Sequence, residues 1–339
     1  MSATGQIPLG DSSHTPQRRP GVVAAGALKR VREVNLSDYG VVMCLTLIVI
    51  YVSLATGKFL TSQNLLNILD QSTSLGIIAC AGTFVMIGGA FDLSVGAIYA
   101  LCGMLTAKVA LSAGIAPGIA VGLVCSTACG VVNGLLISRS KLNPLIVTLA
   151  SGIILTGVTL VISNGTYASA DQHFFQAFST AKFLGVLDSI WIFIAVILIT
   201  AFMLHRTIFG SNTYAVGGNR EAARLSGIHV DRVVVIAFAL SGFASGLAGV
   251  MYLAQVAAAQ STAGTALPLD AVAAIVLGGT SILGGEGAIW RTVVGVIFLG
   301  VITNGFNLLG WNQLYEQIIE GVIIIAAVAV DVRVRRRVR

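Results

Sequence analysis

Beyond about Tyr39 the chain is a succession of apolar runs of roughly 20 residues, each closed by Gly, Pro, Asn, Ser or charged residues. Short alternating segments of the kind that build a membrane barrel are absent, so the runs predict helices. Their bounds read as 40–57, 64–87, 94–111, 116–138, 144–163, 189–205, 233–256, 270–283, 292–309 and 314–330, about ten segments in all. The eighth is short for an independent span. Ahead of the first run lies a polar stretch rich in Gly, Pro and Ser that ends in LKRVR (Leu28 to Arg32). A cleavable signal would carry its apolar core nearer the start, so none is expected. The pattern predicts a cytoplasmic N-terminal tail over 1–36, a transmembrane domain over 37–331 and a basic cytoplasmic tail over 332–339.

Composition narrows the class. Of 339 residues 56% are hydrophobic and only 10% charged, with a mean hydropathy of +0.91. A soluble core cannot absorb that much apolar sequence, and the expectation is an all-α, polytopic integral membrane protein. Charge then sets orientation. With the N-terminus in the cytoplasm and ten crossings, the inner side receives every one of the twenty Lys and Arg except Lys58, Lys108 and Lys182. Both termini are therefore expected to be cytoplasmic. The net charge of +6 follows from topology and calls for no nucleic-acid partner, while the terminal RVRRRVR suits anionic membrane lipid. All five cysteines fall within apolar runs, where small packing residues are the better account of them than a metal pair at Cys125 and Cys129.

Several polar groups interrupt this apolar background. In GGAFDLSVG (Gly88 to Gly96) a carboxylate, Asp92, stands beside Ser94 at the turn from the second to the third span. A charge at bilayer depth costs about 3 kcal/mol or more, so Asp92 must lie at an interface, be paired or face water. It is expected at the cytoplasmic end of its span. There Asp92 and Ser94 can cap the next helix, or they can face a translocation route or gate. NPLIVTLA (Asn143 to Ala150) offers Asn143 as a cap, Pro144 in a first turn and Thr148 further along. Asn133 and Asn304 are amides suited to interhelical hydrogen bonding or to substrate. Asp70, in the polar band DQSTS near the outer face, suits a wet vestibule. The turn GGTSILGGEGAI (Gly278 to Ile289) echoes GGAFDLSVGAI, which suggests an internal duplication. The histidines fall in tails and loops, and no metal or nucleophile spacing lies within a span, so neither a catalytic nor a metal site is expected.

The loop Phe209 to Arg232 carries a compact helix signal. Asn219 can cap it, Glu221 sits in its first turn and Gly227 can end it. Two turns of helix are too short to be stable alone, and Ala222 and Ala223 permit close approach of another body.

GNREAARLSG resembles the cytoplasmic coupling loop of ABC-importer membrane subunits. GGAFDLSVG resembles the signature of ribose-type sugar permeases, with Ala90-Phe91 in place of Gly-Ile. NPLIVTLA, ALSGFASGLAG (Ala239 to Gly249), LDAVAAIVLGGTSILGGEGA (Leu269 to Ala288) and NGFNLLG (Asn304 to Gly310) follow that family in order, over about residues 40 to 331. Glu286 departs from it, where a basic or small residue is common, as does Asp70, where an Arg is often found.

The resemblance implies a permease subunit of an ATP-driven importer for a monosaccharide or related polyol. Its partners would be an ATP-binding subunit, an extracytoplasmic sugar-binding protein and a second permease copy, in a homo- or heterodimer. Asn219, Glu221, Ala222, Ala223, Arg224 and Gly227 would couple to the ATPase, which would hold ATP and Mg. The chain itself carries no nucleotide site: its only Gly-Lys pair, in TGKF at Thr56, lacks the flanking Gly and Ser/Thr. A nucleoside or branched-chain amino-acid permease remains an alternative within the superfamily. An ion-coupled secondary transporter is disfavoured, because only Asp70 is a fair intramembrane carboxylate.

Overall fold

A computed structural model describes residues 36–169, 175, 179–312, 315, 318, 319, 321, 322 and 325. The chain divides between Tyr39 and Gly40. Of the first unit only the opening of one helix is described, so the architecture given is that of the second. Residues 1–35 of the predicted N-terminal tail, the predicted C-terminal tail and most of the predicted last span lie outside the described residues, while Leu36, expected in the tail, opens α1.

The helices follow the apolar runs closely. They are α1 (Leu36–Ala55), α2 (Ser62–Gln71), α3 (Thr73–Ile87), α4 (Val95–Ala113), α5 (Ile115–Ser140), α6 (Pro144–Ser163), α7 (Asp188–Arg206), α8 (Ile208–Gly218), α9 (Arg220–Leu225), α10 (Val230–Val256), α11 (Leu267–Leu277) and α12 (Ile289–Leu309). Among the described residues six of these, α4, α5, α6, α7, α10 and α12, are long and apolar enough to cross a membrane, and a seventh span exists if α2 and α3 count as one. The chain is a polytopic helical membrane protein. Four two-residue strands form small antiparallel pairs: β1 (Ala168–Ser169) with β4 (Ala258–Ala259), and β2 (Lys182–Phe183) with β3 (Val186–Leu187).

Two elements differ from the sequence expectation. The second predicted span is broken at Ser72, where α2 and α3 meet at 49°. The Ser72 backbone N–H and the Thr73 hydroxyl both bond the Asp70 carbonyl, ending one helix as the next begins. The loop between α7 and α9 also contains a further helix, α8, whose start is capped by Thr207 accepting the Gly210 N–H.

The core is built on α10. Its small residues face those of α5: a side chain at Gly130 would collide with the Phe238 carbonyl, and one at Gly242 with the Ser126 carbonyl. Water-excluding burial gives helices little reason to associate in lipid, so close backbone approach and the dispersion it allows carry this seam. Helix α4 packs on both α5 and α10, α3 lies against α10, and α11 pairs with α12. Helix α6 packs mainly on α4 and leaves Ile146, Ile153, Ile154 and Val161 exposed, an apolar face fit for lipid or a partner.

Candidate translocation and coupling site

The end of the molecule that carries α9 is built from three glycine turns. Helix α3 ends at Gly88–Gly89 and α11 at Gly278–Gly279, and the two close with the same hydrogen bonds. Gly89 N–H donates to Met86 and Ala90 N–H to Val85, as Gly279 donates to Val276 and Thr280 to Ile275. Gly89 and Gly279 hold φ of 77° and 83°, which only glycine adopts freely. The echo between the two sequences is thus an echo in backbone. A third turn locks onto the first: Gly285 N–H donates to the Ile87 carbonyl at 2.8 Å. The end of α8 fills the space between, where a side chain on Gly217 would collide with the Ile87 carbonyl and come within 2.6 Å of the Gly285 nitrogen. Tyr214 of α8 completes the contact by donating to the Gly287 carbonyl at 2.7 Å.

Helix α9 continues directly from this knot. Asn219 accepts the Ala222 N–H at 3.0 Å, and the Glu221 and Arg224 side chains stand 3.8 Å apart. The Gly227 N–H closes on Arg224 and Ile228 on Ala223, with Gly227 at a φ of 84°. The cap and the stop lie where the sequence placed them. The two alanines part company: Ala223 is buried against the body of the protein, whereas Ala222 is exposed. Leu225, which the sequence reading passed over, is 81% exposed at the tip. The exposed residues of α9 are therefore Arg220, Glu221, Ala222, Arg224 and Leu225.

Asp92 and Ser94 lie in the interior. Asp92 is 7% exposed, and each of its oxygens has a hydroxyl donor. Oδ1 accepts the Ser94 N–H at 3.0 Å and the Ser94 hydroxyl at 2.5 Å, while Oδ2 accepts the Ser241 hydroxyl at 2.7 Å. Asn133 of α5 donates to Ser94 Oγ at 2.9 Å. Ser241 sits eleven residues into α10, roughly 16 Å along its axis. The expected cap at the rim is corrected in two respects. The Ser94 side chain makes no cap bond: its oxygen accepts from the Asn133 amide and its proton goes to the carboxylate. Asp92 gathers two donors from Ser94 at the start of α4 and a third from Ser241 near the middle of α10, because three neutral donors serve a desolvated charge better than a helix end alone. A cavity of about 20 Å³ adjoins it, lined by Met86, Phe91, Val95, Pro268 and Ala271 among others, room for about one water.

The remaining residues scatter. Asn143 caps α6 by accepting the Leu145 N–H and is exposed. Thr148 is fully buried and bonds back to the Pro144 carbonyl. Asn304 of α12 forms a reciprocal amide pair with Asn64 of α2, both bonds at 2.9 Å, and both residues are buried. At the end away from α9, Asp70 meets Ser189 and Gln255. Sequence reasoning missed Ser241, Ser189, Gln255 and Asn64; a polar residue on an apolar span was the signal available, with nothing local to name its partner.

This architecture defines a polytopic helical membrane protein with one broken span and a short exposed helix at one end. The chain belongs to the family described as branched-chain amino acid transport system / permease component, whose model matches residues 64–328. It is 42% identical over 301 residues to the ribose import permease protein RbsC of Bacillus subtilis, covering 87% of this chain and 93% of the relative. It is 39% identical to the RbsC of Escherichia coli K12 (85% and 92% covered) and 39% identical to the D-allose transport system permease protein AlsC of the same strain (86% and 91%). No solved structure matches the chain.

Proposed function

We propose that this chain is the membrane-spanning subunit of an ATP-driven importer of a monosaccharide or related polyol in the cytoplasmic membrane of a bacterium. The observation that carries the coupling half of this reading is α9: a short, capped helix with an exposed face that includes Glu221, Ala222 and Leu225, anchored through α8 to the glycine knot. A separate ATP-binding subunit, holding ATP and Mg, covers that face. Its movement reaches the α3 turn and the Gly285–Gly287 segment through Gly217 and Tyr214. Asn219, Ala223, Arg224 and Gly227 shape and hold the helix.

The substrate half rests on the relatives. The family's description names branched-chain amino acids, yet RbsC, AlsC and the 36% identical L-arabinose transport system permease protein AraH are all named for sugars. About ten helices cross the membrane with both termini in the cytoplasm, residues 1–36 and 332–339 forming tails on that side. The pathway runs along an interface with a second permease, identical or related, near Asp92, Ser94, Asn133, Asn143 and Thr148. An extracytoplasmic binding protein delivers the sugar to the opposite end, near Asp70. The narrow cavity beside Asp92 supports an interfacial route over one through a single chain, since ligand sites measure about 300 Å³ or more.

The test is to copurify the chain with its ATPase and binding protein, reconstitute the assembly in liposomes and measure uptake of D-ribose, D-allose and L-arabinose. Accumulation that requires ATP is expected for at least one. Accumulation by the chain alone without ATP would make it a secondary carrier.

A further inference from the structure

Where α2 breaks from α3, side chains of three helices meet at the end away from α9, and an aromatic pair stands one helical turn away on α10. Asp70 closes α2. Ser189, in the first turn of α7, donates to its Oδ1 at 2.5 Å, and Gln255, in the last turn of α10, donates to the same oxygen at 3.4 Å. Among the described residues Oδ2 takes no bond. One helical turn before Gln255, on the same face of α10, stands half-buried Tyr252, its ring backed by Tyr99 of α4 at 5.4 Å between centroids.

A carboxylate with one oxygen held and the other open, an exposed amide and a braced aromatic ring are unlike a mere helix tie. A tie would use both oxygens, as Asp92 does. Nor, among the described residues, is Asp70 paired with a cation, the usual way of settling a carboxylate in a membrane protein; the two partners described are neutral. The group is instead fit to bind a neutral, hydroxyl-rich molecule, accepting hydroxyl protons at Oδ2 through charge-assisted bonds while an apolar C–H face lies on Tyr252.

We infer that Asp70, Gln255 and Tyr252, with Ser189 fixing the carboxylate and Tyr99 the ring, form a substrate-accepting site for sugar hydroxyls at the mouth of the permease. The inference rests on the importer reading and names the side chains that take the sugar from its binding protein.

The experiment uses the liposome assembly with ATPase and binding protein, with whichever of D-ribose, D-allose or L-arabinose the unmodified chain accumulates as the probe. Sugar delivered per ATP hydrolysed is measured for Asp70→Ala and for the isosteric Asp70→Asn, alongside stimulation of hydrolysis by the loaded binding protein. Expected is a fall in sugar per ATP of about tenfold or more for Asp70→Ala and of several-fold for Asp70→Asn, with stimulation kept. Wild-type delivery by Asp70→Asn would reduce Asp70 to a tie between helices, because the Asn carbonyl still accepts from Ser189. Loss of stimulation would make it a docking contact for the binding protein. Either result overturns the inference while leaving the importer intact, whereas an unmodified assembly that accumulates no probe overturns both.

Discussion

Ser241 donates its hydroxyl proton to Asp92 Oδ2 at 2.7 Å across 149 positions of sequence, joining the α3–α4 turn to the middle of α10. Ser241→Ala removes the only donor that oxygen has among the described residues, and the cost is that of an under-satisfied buried carboxylate, about 1.5–3 kcal/mol. Asp92→Ala removes the charge together with the need for its donors. Measured by denaturation in detergent, the double variant should be less destabilised than the sum of the single ones. Additive losses would mean that the two side chains do not interact in the folded protein.

Gly217 and Gly218 provide a paired test of the glycine knot. A methyl group at Gly217 meets the Ile87 carbonyl and the Gly285 nitrogen, whereas one at Gly218 meets nothing within 4 Å. Overpacking of this kind costs about 1–3 kcal/mol. Gly217→Ala should lower both stability and ATP-driven uptake, and Gly218→Ala should leave both near wild type. Equal behaviour of the two variants would dissolve the knot as a mechanical link.

Glu221 lies on the exposed face of α9 and makes one loose pair with Arg224. Such a pair contributes little to stability, so Glu221→Lys should fold normally. Its effect should be on the partner: ATP hydrolysis separated from uptake, or an ATPase recovered in lower yield on copurification. Normal coupling in this variant would remove α9 as the docking element.

The amide pair Asn64–Asn304 distinguishes packing from pathway. Interhelical bonds in membranes are worth about 0.6–1.7 kcal/mol. Asn304→Leu alone leaves the Asn64 Oδ1 without its donor, though the Asn64 amide N–H keeps the Phe59 carbonyl at 2.9 Å, while Asn64→Leu with Asn304→Leu removes both groups and should recover part of the loss. Uptake by folded single and double variants should match wild type. A transport defect without a stability defect would return Asn304 to the pathway.

Most of the transmembrane architecture could be read from the chain, because in lipid the apolar run is itself the structural signal. Helix α6 begins and ends at the expected residues, with Pro144 in its first turn and Asn143 as its cap. The break at Ser72 escaped notice because neither Gly nor Pro marks it. The polar band DQSTS was its trace, but the kink depends on a local exchange of hydrogen bonds at the Asp70 carbonyl. Helix α8 was missed because FGSNTYAVGG has weak helical propensity, and it is the packing of Gly217 and Tyr214 on distant turns that holds it. The capping of α9 could be read because Asn219 and Gly227 act within their own turn. Which of its alanines faces out could not, since that depends on where α10 lies. Asp92 shows the same limit: its need for partners was plain in the sequence, but the depth and identity of Ser241 belong to tertiary structure.

The span between Asp92 and Ser241 also sets a clock on biogenesis. At 5–20 residues per second, synthesis takes roughly 7–30 s to pass from one to the other. Throughout that interval the α3–α4 turn has Ser94, and later Asn133, but no donor for Oδ2. A segment among the first to be synthesised is thus among the last to be completed, and the newborn chain must keep a half-served carboxylate in contact with water or the insertion machinery until α10 arrives.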